Sequence, residues 1–194
     1  MKRDIILAGV GGQGILSIAA AIGMAALDSG LYLKQAEVHG MSQRGGDVSS
    51  NLRIADHEIA SDLIPYGQAD LIISVEPMES LRYLPYLSAD GWVITNIKPF
   101  INIGNYPEMD KLMADISSLK KHIALDADDI ARNLGSARSA NMVILGAAAL
   151  FLEIPAEKLR DAIRKLFGRK GEDIVNLNLG AYDAGLNFAT AQIS

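Results

Sequence analysis

The chain has 194 residues, 49% of them hydrophobic and 21% charged, with a formal net charge of −5. That composition can bury enough apolar surface to offset chain entropy, which argues against disorder, and it offers no general basic footprint for a nucleic-acid backbone. Cysteine is absent, which excludes disulfides, a thiol nucleophile and the thiolates that hold nearly all iron–sulfur clusters.

Met1-Lys2-Arg3-Asp4 leads into an apolar run too short for the core of a signal peptide. The longest apolar stretch, residues 142–152, falls well short of the roughly 20 residues that a bilayer crossing needs. A soluble, cytoplasmic protein is the expectation. In chain order, residues 5–8 predict a first strand and 15–28 its helix, stopped by Ser29-Gly30. Residues 31–38 predict a second strand, followed by a polar, glycine-rich loop from His39 to Asp47. Residues 48–54 alternate enough to predict a strand with one wetter face. Then come a buried strand at 71–75, a helix at 77–87 opened by Pro77, and a strand at 92–95. Pro99, Asn102, Gly104, Asn105 and Pro107 interrupt any period between residues 97 and 111, so this stretch is expected to wrap a surface or cover a site. A strand at 122–126 precedes helices at 127–134, 141–151 and 155–167, the last stopped by Gly168, and a closing helix at 177–191. No repeat, heptad array or marked linker divides the chain. The alternation predicts an α/β fold: a single domain over residues 1–194, three-layer α/β/α, around a mostly parallel, Rossmann-like sheet.

Gly9, Gly11 and Gly14 stand at GxGxxG spacing between the first strand and its helix. There they can serve a tight turn, a close backbone approach to a ligand and close helix–strand packing. Gly11, Gly12 and Gly14 are therefore candidates to cradle a phosphate, or simply let the helix start close above the strand. The amide of Gln13 suits a ligand contact or a cap on neighbouring backbone. A dinucleotide site would also need an acid near the end of the second strand, and Glu37 is the one candidate. The run His39-Gly-Met-Ser-Gln-Arg-Gly-Gly46 follows the second strand and should emerge beside the first glycine loop if the two strands run the same way. Ser42, Gln43, Arg44 and Gly45 are its candidate binders. The planar fork of Arg44 suits a carboxylate or phosphate, the plain alternative being a surface arginine bonded to Asp47 or to loop carbonyls. His39 suits acid–base work or a structural role, with no nucleophile beside it and only His57 beyond the next strand. Glu76 and Asn96 follow predicted strands and either face the same crevice or cap helices. Asp126, Asp128 and Asp129 read as acids complementing a helix dipole rather than as a metal site. No catalytic residue and no metal ligand is assigned.

Taken together, Gly9-Val-Gly-Gly-Gln-Gly14 and Glu37-Val-His-Gly-Met-Ser-Gln-Arg-Gly-Gly46 resemble the small, gamma-type subunit or domain of the 2-oxoacid:ferredoxin oxidoreductases, nearest the indolepyruvate-oxidising type. The likeness continues through Leu63-Ile-Pro65, Ala69-Asp70, Glu76-Pro77, Leu81-Arg-Tyr-Leu-Pro-Tyr-Leu87, Asn141 and residues 176–185. It implies oxidative decarboxylation of an aryl pyruvate to an acyl-CoA, with electrons passed to ferredoxin. A larger partner subunit would hold thiamine diphosphate, its magnesium ion and the iron–sulfur clusters, and would be the route to ferredoxin. No nucleic acid and no membrane is implied. Coenzyme A enters as co-substrate, and the two glycine loops would face either it or the thiamine pocket. On this resemblance the chain binds no cofactor alone and closes a partner's active site. A nicotinamide-dependent dehydrogenase and a stand-alone nucleotide-binding module are the competing readings.

Overall fold

The fold is taken from a computed structural model that describes residues 1–39, 45–101 and 103–193, with the backbone alone at His39. Six strands form one sheet: β1 (Lys2–Val10), β2 (Tyr32–His39), β3 (Asp47–Ala55), β4 (Ala69–Ser74), β5 (Leu87–Asn96) and β6 (His122–Leu125), in the order β2-β3-β1-β4-β5-β6. β1, β4, β5 and β6 pair in parallel, while β3 lies antiparallel between β1 and β2. Five strands therefore point one way. The predicted mostly parallel α/β sheet is what forms, with β3 as its single reversal.

Seven α-helices accompany the sheet among the described residues: α1 (Ile15–Leu27), α2 (Pro77–Arg82), α3 (Met109–Ser117), α4 (Ala127–Asn133), α5 (Ala140–Ala148), α6 (Ala156–Phe167) and α7 (Glu172–Ile193). Strand alternation divides the apolar residues between two faces. Ile5, Leu7, Leu71, Ile73 and Ile94 belong to a large core shared with α1, α5, α6 and α7. Ile6, Ile72 and Val93 enter a smaller one with Ile64 and Ala69, edged by Leu84 and Leu119. The layers are unequal because residues 127–193 add four successive helices to one face. Within that layer α5 and α7 cross at Gly146 and Gly185, where a Cβ on either glycine would overlap backbone of the other helix, at Tyr182 and Val143 respectively.

Several boundaries differ from expectation. The helix expected over 77–87 ends at Arg82, gives way to a single 3-10 turn, Leu84–Tyr86, and Leu87 already belongs to β5. Pro85 is the reason: it has no N–H to continue the ladder and disfavours α geometry at Leu84. α3 falls where no helix was expected, anchored by only two buried apolar residues, Leu112 and Ile116, one turn apart. β3 keeps the expected alternation: Val48, Ser50, Leu52 and Ile54 are buried on one face, Asp47, Asn51 and Arg53 on the other retain exposure, and Ser50 Oγ accepts from Gln35 Nε2 at 3.1 Å. α6 does stop at Gly168, as expected, but a single 3-10 turn, Gly168–Lys170, follows before the chain reverses at Gly171, whose φ is +98°. α7 then begins at Glu172, five residues ahead of the expected start, with Glu172 and Asp173 complementing its dipole.

At the amino edge of the sheet, Asp4 is fully buried and accepts two bonds from Arg53, at 2.7 and 3.0 Å. Arg53 Nη1 also donates to the carbonyls of Ser61 and Leu63. This fork fastens the 59–64 loop beneath the sheet and leaves the opposite, carboxyl edge for a site.

Candidate functional site

β1 and β2 run the same way because each is antiparallel to β3, so the loops that follow them leave from one edge. Register confirms the meeting: Val10 pairs with Asp47, and Val48 with His39. The loops are joined by backbone, Gly11 N–H donating to Gly46 O at 2.8 Å and Gly45 N–H to Gly11 O at 3.3 Å. Gly45 has φ +82°, a left-handed conformation that glycine adopts without penalty. Ser42, Gln43 and Arg44 lie outside the described residues, as do Gly40, Met41 and Asn102. His57 sits past the far end of β3, at the opposite edge of the sheet from the loops, and pairs with Asp56 at 2.8 Å.

The first glycine loop is shaped from within. Gln13 Oε1 accepts from Val10 N–H at 2.8 Å and Nε2 donates to Val75 O at 3.4 Å, so its amide braces the loop across the ends of β1 and β4. Gly14 caps α1 with φ +83° and no side-chain cap, leaving the positive end of a 13-residue helix open at this edge. Asn141, at the start of α5, donates from Nδ2 to Gly14 O at 3.1 Å, and a Cβ on Gly14 would overlap that amide. The loop lies where strand order changes direction: after β1 the chain crosses to β2 and β3 on one side, whereas β4 lies on the other. Ligands of open α/β sheets collect at such a switch point.

Two cavities flank the loop. One, of about 390 Å³, is lined by Gly11, Gly12, Gly14, Leu16, Glu37 and Val48 among others. Glu37 thus does reach the glycine-loop side of the sheet. The other, of about 610 Å³, lies between the loop and the segments that begin α5 and α7, with Arg138, Asn141 and Lys170 in its wall. Asn141, Arg138 and Lys170 were not singled out as site residues from the sequence, because no local pattern ties residues 138–170 to residue 14. Only the likeness of the Asn141 helix to a known family touched one of them.

The remaining candidates have structural partners. Glu76, fully buried, caps α2 by accepting Glu79 N–H at 2.9 Å, and its other oxygen accepts Phe100 N–H at 3.2 Å and the Tyr106 hydroxyl. Burial and the Glu76 carboxylate both push the Tyr106 hydroxyl pKa well above its usual value. Phe100 and Tyr106 are thereby tied to the end of β4, and Phe100, Ile101 and Ile103 are exposed. Asn96 caps the start of α4 by accepting Ala127 N–H at 3.1 Å, and donates to Asp128 at 2.7 Å. Asp126 accepts Asp129 N–H at 2.8 Å, the expected dipole-complementing cap. Among the described residues no three His, Asp or Glu side chains group to hold a metal ion.

This glycine-loop edge, its partner loop and the sheet order agree with what the sequence profile shows: residues 4–188 match the family described as pyruvate ferredoxin/flavodoxin oxidoreductase. The chain belongs to that family. It is 38% identical over 198 residues to the indolepyruvate oxidoreductase subunit IorB of Archaeoglobus fulgidus, covering 97% of this chain and 96% of that one. Its fold is similar to that of the keto/oxoacid ferredoxin oxidoreductase gamma subunit of Geobacter sulfurreducens, with a TM-score of 0.69 and 25% identity over 97% of this chain and 99% of the other. The 2-oxoglutarate:ferredoxin oxidoreductase of Magnetococcus marinus, solved with 2-oxoglutarate, coenzyme A and succinyl-CoA, shares the fold at a TM-score of 0.78 and 22% identity. That match covers 98% of this chain and 31% of the longer one. The same fold thus occurs both as a separate gamma subunit and as a stretch of a longer chain. Among the described residues no helix of this family member is long and apolar enough to cross a membrane.

Proposed function

We propose that residues 1–194 act as one gamma-type domain, the small subunit of a cytoplasmic 2-oxoacid:ferredoxin oxidoreductase that oxidises an aryl pyruvate of the indolepyruvate kind to its acyl-CoA. In this reading the chain supplies no nucleophile. It closes a water-excluded pocket and holds an anionic group of coenzyme A or of the oxoacid next to the reacting centre. The binders are the amides of Gly12 and Gly14 and the side chains of Ser42, Gln43 and Arg44, with Gln13 bracing the turn, while Gly11 and Gly45, candidates from the sequence, commit their N–H groups to pairing the two loops. A larger partner subunit holds thiamine diphosphate with its magnesium ion and the iron–sulfur clusters, and delivers electrons to ferredoxin. The donor set of this chain does not fit those groups: it has no cysteine, and the described residues offer no metal-holding cluster.

The observation that carries the reading is the backbone pairing of Gly11 with Gly45 and Gly46, which brings both loops to the open amino end of α1. Amide donors aimed outward at a helix N-terminus favour an anion, and an arginine fork from the second loop adds a charge-assisted partner. The test is co-expression with the thiamine- and cluster-bearing subunit, followed by viologen dye reduction dependent on indolepyruvate and coenzyme A. Activity is expected only when both chains are present. Arg44→Ala should raise KM for coenzyme A or for the oxoacid by about tenfold or more. Unchanged kinetics for both ligands would remove the assignment of Arg44, and absence of activity with any aryl, branched or simple 2-oxoacid would remove the reading itself.

A further inference from the structure

Phe100, Ile101 and Ile103 crowd together in the connection from β5 to α3, with exposures of 42%, 69% and 40%. Apolar side chains scattered singly over a surface need no explanation, whereas a cluster marks an interaction site. We propose that these three side chains are the anchor by which the chain docks on the thiamine-bearing partner subunit, seated in an apolar recess beside the mouth of that subunit's active site. The proposal rests on the reading of this chain as that enzyme's small subunit, and it adds the surface that holds the chain there.

Position is the first support. Val75 O accepts from Gln13 Nε2 at 3.4 Å and from Asn96 Nδ2 at 3.3 Å, so the first glycine loop and the end of β5 meet on one residue. The next residue, Glu76, accepts Phe100 N–H at 3.2 Å and the Tyr106 hydroxyl. The apolar cluster is thus rooted on the same carboxyl edge as the paired loops, and a partner lying against those loops reaches it without a second face of the molecule. Fixation is the second support. Glu76 is fully buried, so its bonds are shielded from water, and the backbone at Phe100 is held while the ring stays exposed. An anchor fixed before binding loses less conformational freedom on docking. Composition agrees, since a phenylalanine beside isoleucines suits the apolar centre of an interface. The choice of occupant follows from connectivity. A domain within a longer chain is kept beside its neighbours by the linkage, whereas a separate subunit has only its surface contacts for that purpose. A second copy of this chain on the cluster would cover the edge that the enzymatic reading turns toward the partner.

Sedimentation velocity of the full chain with the purified thiamine-bearing subunit, over a concentration series, tests the anchor. The triple variant Phe100→Ser/Ile101→Ser/Ile103→Ser changes exposed side chains, and circular dichroism verifies its fold. Its Kd for the subunit should rise by about thirtyfold or more. Leu63→Ser/Tyr66→Ser, no less exposed but at the opposite edge of the sheet, should leave that Kd within about twofold. Dye reduction by the triple variant should recover to within about twofold of wild type when the subunit is added above the raised Kd, because the anchor holds the chain and does not react. An unchanged Kd in the triple variant, equal weakening in both variants, or a kcat that stays low at saturation would each overturn the proposal. So would a wild-type homodimer that the triple variant dissociates, since a second copy would then be the occupant. If the wild-type complex reduces the dye and the triple variant binds as tightly, the anchor alone fails. If the wild-type chains neither associate nor turn over, the enzymatic reading fails and the anchor with it.

Discussion

Gly14 combines three demands in one residue: φ of +83°, a cap on α1, and contact with the Asn141 amide where a Cβ would stand. A side chain there meets both backbone strain and a neighbour held by its own hydrogen bond. Gly14→Ala is expected to lower stability by about 1–3 kcal/mol in urea unfolding, because left-handed geometry and the overlap add. Glu79 carries a different kind of tension. It is 1% exposed, and burial raises its pKa despite the Arg82 guanidinium 2.7 Å away, with the Glu76 and Asp47 charges reinforcing the rise. A carboxyl that binds its proton more tightly in the folded state contributes stability below its unfolded pKa and loses it as pH rises through the folded one. Glu79→Gln does not titrate, so the stability of the wild type relative to this variant should fall between about pH 4 and about pH 7. Urea midpoints at the two pH values measure it, and a difference that grows with pH would contradict the burial effect. At this scale the sequence was legible in part: the glycine spacing was visible, but the partners that make Gln13 a brace and Asn141 a neighbour of Gly14 are 62 and 127 residues away.

Elements differ in how much of their support is local. α1 and the parallel strands β1, β4 and β6 carry apolar runs or capping signals strong enough to read from short windows, and they form close to where expected. α3 has only Leu112 and Ile116 buried, so its pattern is too sparse to outweigh the preceding glycine and proline punctuation. β3 was legible for the opposite reason. Its alternation marks residues 48, 50, 52 and 54 as one buried face, and only the partner of Ser50, Gln35 on the neighbouring strand, needed the tertiary structure. The α5–α7 crossing makes the most exacting demand of any element pair. Alanine at Gly146 or Gly185 would favour each isolated helix by about 1 kcal/mol, but its Cβ would overlap a carbonyl of the facing helix, which cannot rotate aside. Gly185→Ala should therefore destabilise by about 2 kcal/mol or more in spite of its better propensity. A thermal midpoint equal to or above that of the wild type would show that the helices part without penalty.

For the whole molecule, alternation of short apolar runs with helix-period segments determined an α/β sheet covered on both faces, because those periods dictate which residues can be buried together. Composition excluded cluster ligation by cysteine, and the paired glycine motifs marked the family. Tertiary structure alone decided that β3 reverses between β1 and β2, and this single reversal is what points β2 the same way as β1 and brings the two loops into hydrogen-bonding contact. It alone decided also that the late helices turn back over the amino end of α1, placing Asn141, Arg138 and Lys170 opposite Gly14 around the larger cavity. The division has one physical cause. Burial periodicity and turn chemistry are written in neighbouring residues, whereas a cavity wall is assembled by packing residues that share no window of sequence.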